Sequence, residues 1–147
     1  MRVVLGFTAL ALAAAAAGCG GGDRLSQAEY VKQADAICAK YEERLDALPQ
    51  PKSTAGLKTL VDKGLPIARE GNAELNELKP PEDLESKVEE WHKRNDRNLE
   101  LIEELGQAAE DGDEEKIQTL ASEADENESQ ADRLAREIGL EDCAEDG

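Results

Sequence analysis

The chain has 147 residues and a formal net charge of −17 at pH 7, and aromatic residues make up 3% of it. So acidic a chain repels nucleic-acid phosphates and anionic lipid headgroups, which disfavours DNA binding, RNA binding and polybasic membrane docking. So few aromatic rings also provide no platform for base stacking. Charge-rich chains of this kind can be disordered, but the regular apolar periodicity of the later segments indicates a folded domain.

The first residues are typical of a bacterial export signal. A basic start, Met1-Arg2, precedes an apolar run from Val3 to Ala17 that contains no charged residue. The tetrapeptide Ala16-Ala17-Gly18-Cys19 then resembles a lipobox, in which the cysteine sulfur receives a diacylglycerol and the chain is cut just before it. We therefore expect residues 1–18 to be a lipoprotein signal peptide and Cys19 to carry the lipid, with palmitate among its acyl chains.

Two other interpretations of this N-terminus stay open. Residues 3–18 could remain as a transmembrane helix, although 16 residues are fewer than the ~20 that span a bilayer. Ordinary secretory cleavage after Ala15-Ala16-Ala17 also satisfies the small-x-small rule. Lipidation predicts a protein anchored to the extracytoplasmic face of the cell membrane, with residues 19–25 as a Gly-rich tether and residues 26–147 as the folded domain.

The cysteine count favours one disulfide. With Cys19 assigned to the lipid, Cys38 and Cys143 remain as an even pair in a compartment that permits disulfides. They lie 105 residues apart, and a bridge of that span stabilises a fold by roughly 4–5 kcal/mol in the chain-entropy model. The alternative is two independent thiols.

Four helices are predicted in the folded domain, and no segment has the period-2 alternation of a strand. The first begins at Ser26, an N-cap with Glu29 as its capping-box partner, and ends at Pro49-Gln50-Pro51. The second begins near Ser53 or Thr54 and ends at 79–81. Apolar steps of three and four place one stripe of the first helix in the core: Val31, Ala34, Ile37, Cys38, Tyr41, Leu45 and Leu48.

The second helix contains Pro66, which removes a backbone donor, so we expect a kink or a break there. The third runs from about Pro81 to Glu110. The fourth starts at the N-cap Asp113 and ends at Gly139, where a left-handed C-cap belongs. The predicted core stripe of the third helix is Leu84, Val88, Trp91, Asn95, Leu99, Ile102, Leu105 and Ala109.

Short connections make sequential helices antiparallel neighbours, so the fold class is all-α, an up-down antiparallel four-helix bundle closed by the disulfide. Three motifs, Ala28–Cys38, Pro80-Pro81 and Ile138–Cys143, together with the lipobox, are similar to those of short predicted lipoproteins from actinobacteria. The resemblance implies a helical, disulfide-closed lipoprotein. It transfers no activity and no catalytic residue.

Catalytic and metal-binding patterns are weak. His92 is the only histidine, and Glu89-Glu90-Trp91-His92 matches a single Glu-x-x-His element, whereas di-iron bundles need two. The serines have no nucleophile-elbow context, and Cys38 has no plausible base. We therefore predict a non-enzymatic protein with no metal site and no cofactor.

Polar residues near the middle of the third and fourth helices indicate a candidate site. Asn95, Asn98, Asn127 and Glu128 lie on or beside the apolar stripes. They either set the register of the bundle or line a polar groove for a small ligand, with Gly71 making space. The sequence thus favours an accessory or protein-interaction module with an envelope protein as partner. The alternative is a lipoprotein that binds a small ligand or metal cation at the polar bundle centre.

Overall fold

A computed structural model of the chain describes residues 24–144. The predicted signal peptide, the predicted lipidation site Cys19 and residues 145–147 lie outside this part. The described chain forms α1 (Gln27–Asp46), α2 (Thr54–Asn76), α3 (Glu85–Asp111) and α4 (Glu114–Ile138), and it contains no strand. The prediction of an all-α, four-helix protein is confirmed. Among the described residues no helix has the length and apolar character needed to cross a bilayer.

The helix ends follow local capping rules. Ser26 and Glu29 form a capping box, in which each side chain accepts a hydrogen bond from the other residue's backbone N–H. The side chains of Ser53 and Asp113 also accept backbone N–H groups of the first turn that follows them. Gly139 ends α4 at φ 99°, a left-handed conformation that glycine adopts without strain. These caps were predicted, because each depends on residues within one turn.

Pro66 lies inside α2, which continues unbroken from Thr54 to Asn76. The break that we allowed for at Pro66 is therefore absent. Pro66 cannot donate to the carbonyl of Asp62, and both residues are exposed. Because this face of the helix lies in water, the lost hydrogen bond costs less there than it would in the core.

Three helix pairs pack together, α1 with α2, α2 with α3, and α3 with α4. The ion pairs across each of these contacts show the direction of the helices. As the residue number increases along one helix, the number of its ion-pair partner on the other helix decreases, so neighbouring helices are antiparallel. The ion pairs that show this are Lys40–Glu74, Arg44–Glu70, Lys58–Glu110, Arg69–Glu103, Lys87–Glu137 and Arg97–Glu123. The remaining side, between α1 and α4, has no comparable helix contact.

The C-terminal segment joins α4 to α1. Cys143 forms a disulfide with Cys38, with a Cα–Cα distance of 5.2 Å, which confirms the predicted bridge. The backbone N–H groups of Glu141 and Asp142 both donate to Oδ1 of Asp35, at 3.1 Å each. The segment therefore closes one end of the α1–α4 side through a covalent bond and two hydrogen bonds.

The last residues of the expected tether also pack on the domain. The backbone N–H of Leu25 donates to the carbonyl of Lys79 at 3.0 Å. The guanidinium of Arg24 donates to the carbonyl of Pro80 at 3.0 Å and to the Glu85 carboxylate at 2.7 Å. The packed part of the chain thus includes Arg24 and Leu25, which precede the expected domain start at residue 26.

The core has a larger cluster around Tyr30, Trp91 and Ile138, and a smaller one around Leu101 and Leu120. Trp91 is 2% exposed, as its stripe position predicted. Tyr30 and Leu101 lie outside the predicted stripes yet are buried. For Leu101 the reason is that α3 packs against both α2 and α4 and so buries two faces rather than one.

Candidate binding groove

A cavity of about 700 Å³ lies on the side between α1 and α4. All four helices and the C-terminal segment contribute residues to it, and we call it the α1–α4 groove. Ligand-binding clefts occupy roughly 300–1,000 Å³. The groove therefore has the size of a binding site, and it exists because α1 and α4 do not pack along their length.

The floor of the groove is apolar. Ile37, Tyr41 and Leu45 follow one another in steps of four along α1, so they share one face of that helix. The α2 and α3 helices complete the floor with Ala68, Leu75, Leu99, Ile102. The disulfide lies at one end of the groove. An apolar ligand surface would therefore contact this floor.

Gly71 and Glu74 of α2 position the Tyr41 side chain within the groove floor. A Cβ atom at Gly71 would lie 2.8 Å from Cγ of Tyr41, so only glycine leaves room for the ring. The Tyr41 hydroxyl donates to Oε2 of Glu74 at 2.8 Å, and Nζ of Lys40 donates to the same oxygen at 2.7 Å. Hydrogen bonds from Lys40 and then from Tyr41 lower the pKa of Glu74. One of our two alternatives assigned the space at Gly71 to a ligand, and this space is taken by the Tyr41 ring.

The three predicted asparagines occupy different places. Asn95 and Asn98 line the groove. Asn127 does not, and it is 6% exposed. Its amide nitrogen donates to the Arg94 carbonyl at 2.8 Å and to Oδ1 of Asn98 at 2.6 Å, while its oxygen accepts from the Arg94 guanidinium at 3.3 Å. Asn127 thus links α4 to α3, as a residue that sets helix register would, and its hydrogen-bonding groups are used within the protein.

Asn72 on α2 is a groove residue that sequence reasoning missed. Its nitrogen donates to Oδ1 of Asp96 at 2.8 Å. Its own Oδ1 is buried and has no hydrogen-bond partner among the described residues. The available signal was its place between Ala68 and Leu75, at steps of four and three, where α2 is otherwise apolar.

Six carboxylates also line the groove, and no lysine or arginine of the described chain does so. Among the described residues, neither Glu42, Asp46 nor Asp132 has a basic group within ion-pair distance. Of this set the sequence singled out Glu128 alone, since 34 acidic residues are spread along the chain. The six are Glu42, Asp46, Glu128, Asp132, Glu141 and Asp142.

His92 lies apart from the groove. Its ring is half-buried, with its centroid 5.1 Å from that of Trp91, and its Nδ1 has no hydrogen-bond partner among the described residues. Burial lowers the pKa of His92, which favours the neutral imidazole. In residues 24–144 there is no group of three or more His, Cys, Asp or Glu side chains arranged to hold a metal ion.

The groove therefore offers apolar contact, amide hydrogen bonds and negative charge. Among its lining residues there is no histidine, serine or free thiol. Comparisons with protein-family models, curated proteins and solved structures give no match to this chain. Its function must therefore be inferred from its own residues.

Proposed function

We propose that this protein is a lipid-anchored, extracytoplasmic module of the cell envelope that binds a partner without catalysing a reaction. The observation that carries the proposal is the α1–α4 groove, a cavity of about 700 Å³ with an apolar floor and an acidic rim. Contact surface, amide groups and charge are what a binding site needs. An envelope protein is the first candidate partner.

The proposed anchor would hold the domain close to the bilayer. Four residues separate Cys19 from Arg24, and Arg24 is bound to the α2–α3 connection. An extended chain covers at most ~3.5 Å per residue, so this stretch reaches about 17 Å. The end of the bundle that contains the start of α1 would then face the membrane. The resemblance to short predicted lipoproteins from actinobacteria implies the anchor itself and no orientation of the bundle.

A small ligand is the second candidate occupant. The buried Oδ1 of Asn72 has no partner among the described residues, and Asn95 and Asn98 place further amide groups in the same cavity. Buried polar atoms are normally hydrogen-bonded. A ligand with a hydrogen-bond donor near Asn72 would satisfy this oxygen.

The anchor is tested by replacing Cys19. The Cys19→Ala variant, expressed in the native host, should move from the membrane to the soluble fraction and lose labelling by radioactive palmitate. Gly22→Ala, three residues further on, should stay in the membrane and keep its label. Continued partition of the Cys19→Ala variant into the detergent phase would instead indicate a retained apolar helix.

The groove is tested by photo-crosslinking the full-length protein in intact cells. A photoreactive amino acid replaces either Glu42, which lines the groove, or its neighbour Glu43, which does not; both residues are exposed. Residue 42 should yield a defined adduct, identified by mass spectrometry, and residue 43 should yield at most a trace of it. Equal adducts at both positions, or none at residue 42, would contradict a binding role for the groove.

A further inference from the structure

Resting on the proposed function, we infer that the α1–α4 groove binds a basic amphipathic helix of a partner protein. The apolar face of that helix would lie on the groove floor, and its lysines and arginines would meet the acidic rim. The chemical basis is the combination of an apolar trough with carboxylates on both walls and no basic side chain among its lining residues.

The charge of the groove selects a cationic occupant. On α1 the basic residues Lys40 and Arg44 pair with Glu74 and Glu70 of α2. Both cations lie over the Tyr41 ring, at 4.6 and 5.0 Å from its centroid, but neither lines the groove.

Glu42, Asp46 and Asp132, which have no basic group within ion-pair distance among the described residues, would be desolvated by an occupant of the groove. Covering a carboxylate without providing a cation is strongly unfavourable. A neutral or anionic helix would therefore bind much more weakly than a basic one.

The spacing of these carboxylates matches a helix. Glu42 and Asp46 are four residues apart on the α1 wall, and Asp132 faces the same cavity from the α4 wall. The two α1 carboxylates are therefore separated by about one helical turn, or ~5.4–6 Å. Lysines placed four residues apart along the two edges of a bound helix repeat at the same distance.

The shape of the floor also fits a helix. The residues from Ile37 to Leu45 cover about 12 Å of α1 at ~1.5 Å per residue, which is slightly more than two turns. Since α1 and α4 make fewer close contacts than the other neighbouring helices, the groove between them is open to a further helix, whose axis would lie ~8–10 Å from those of its neighbours. Recognition would follow the helix-in-groove mode.

The probe for this proposal is a fluorescent 14-residue peptide with leucines on one helical face and lysines on its edges. A neutral peptide has glutamine in place of every lysine. Binding of both to the full-length protein in phosphatidylcholine nanodiscs is measured by anisotropy, and binding to nanodiscs alone is subtracted. The lysine peptide should bind at least ~10-fold more tightly, because only it neutralises the rim. Equal affinities, or no binding of the lysine peptide, would overturn the inference.

Two double variants separate the rim from the general acidity of the protein. Glu42→Gln/Asp132→Asn removes one carboxylate from each wall of the groove. Glu43→Gln/Asp125→Asn removes the same charge from exposed positions of the same two helices outside the groove. The first variant should weaken lysine-peptide binding at least ~5-fold, because the peptide would cover those two carboxylates. The second should weaken it less than ~2-fold, since charges outside the covered groove stay in water and are screened by salt. Equal losses would indicate nonspecific attraction and overturn the inference.

A filled groove distinguishes failure of this inference from failure of the proposed function. Ala68→Trp places a large ring at the floor, whereas Ala73→Trp places one on the exposed side of α2. If Ala68→Trp and Ala73→Trp bind the peptides equally well, the groove is not the site and both proposals fail. If Ala68→Trp blocks both peptides equally and the two double charge variants weaken binding equally, the groove is still the binding site. Only the inference of a basic partner is then wrong. If tetrabutylammonium displaces the fluorescent peptide at a lower concentration than the unlabelled lysine peptide does, the groove binds a small cation instead and the inference is overturned.

Discussion

Two buried tyrosines on α1 differ in what their hydroxyl groups contact. Tyr30 is completely buried, and its hydroxyl has no hydrogen-bond partner among the described residues. Burial raises the pKa of Tyr30 to about 12. The Tyr41 hydroxyl instead donates to the Glu74 carboxylate at 2.8 Å. An unpaired buried hydroxyl destabilises a fold, whereas a paired one contributes to stability.

The same Tyr→Phe change should therefore have opposite effects at these positions. Tyr30→Phe should raise the free energy of unfolding by about 1 kcal/mol, and Tyr41→Phe should lower it by about 1 kcal/mol. Urea denaturation at pH 7 measures both.

Because the folded-state pKa of Tyr30 exceeds the unfolded value, the native protein should also lose stability as the pH rises from about 10 to about 12. The Tyr30→Phe variant should lack that part of the loss. Destabilisation by Tyr30→Phe would show that its hydroxyl does have a partner.

At the scale of the helices, glycine permits close approach of α2 and α3. A Cβ atom at Gly106 would lie 2.7 Å from Cγ1 of the buried Val61. Valine in a helix is restricted to one main χ1 rotamer, so it cannot easily turn away. Gly64 in the same bundle differs, because its Cβ would meet only leucine side chains at 3.5 Å.

Alanine at these two glycines should therefore separate helix propensity from packing. Gly64→Ala should raise the free energy of unfolding by up to about 1 kcal/mol, the gain in helix propensity. Gly106→Ala should lower it by about 1–2 kcal/mol, since overpacking outweighs the same gain. Thermal and urea unfolding of both variants measure the difference. Equal stabilisation by the two changes would mean that Val61 moves aside freely.

At the scale of the whole molecule, the C-terminal segment connects α4 to α1, two helices that make few close backbone contacts with each other. The Cys38–Cys143 disulfide and the hydrogen bonds to Asp35 fix this segment across the end of the groove. Exposed ion pairs between the helices add little to stability individually. The disulfide is therefore the strongest link between the first and last parts of the fold.

Removing the disulfide should cost roughly 4–5 kcal/mol of unfolding free energy, as expected for a bridge across 105 residues. The Cys38→Ala/Cys143→Ala variant should unfold at much lower urea concentration than the oxidised protein. The reduced native sequence should behave in the same way, which controls for the loss of the sulfur atoms. An unchanged unfolding midpoint would show that noncovalent contacts alone hold the segment in place.

Local features of the sequence determined the helices, their caps and the disulfide. Ser26, Asp113 and Gly139 act on backbone groups within one turn, so the residues nearby are sufficient to predict them. Burial of Trp91 followed from apolar spacing along a single helix. The pairing of Cys38 with Cys143 followed from cysteine parity, once the third cysteine, Cys19, was assigned to the predicted lipid anchor.

Only the tertiary structure decided where the candidate site lies. It placed Asn95 and Asn98 in the groove, removed Asn127 to the α3–α4 contact, and gave the space at Gly71 to Tyr41. It also brought Glu42 of α1 and Asp132 of α4 to the same cavity. Each of these outcomes depends on which faces of different helices meet, and hence on contacts between residues far apart in the chain. The pattern along any one helix contains no information about such contacts.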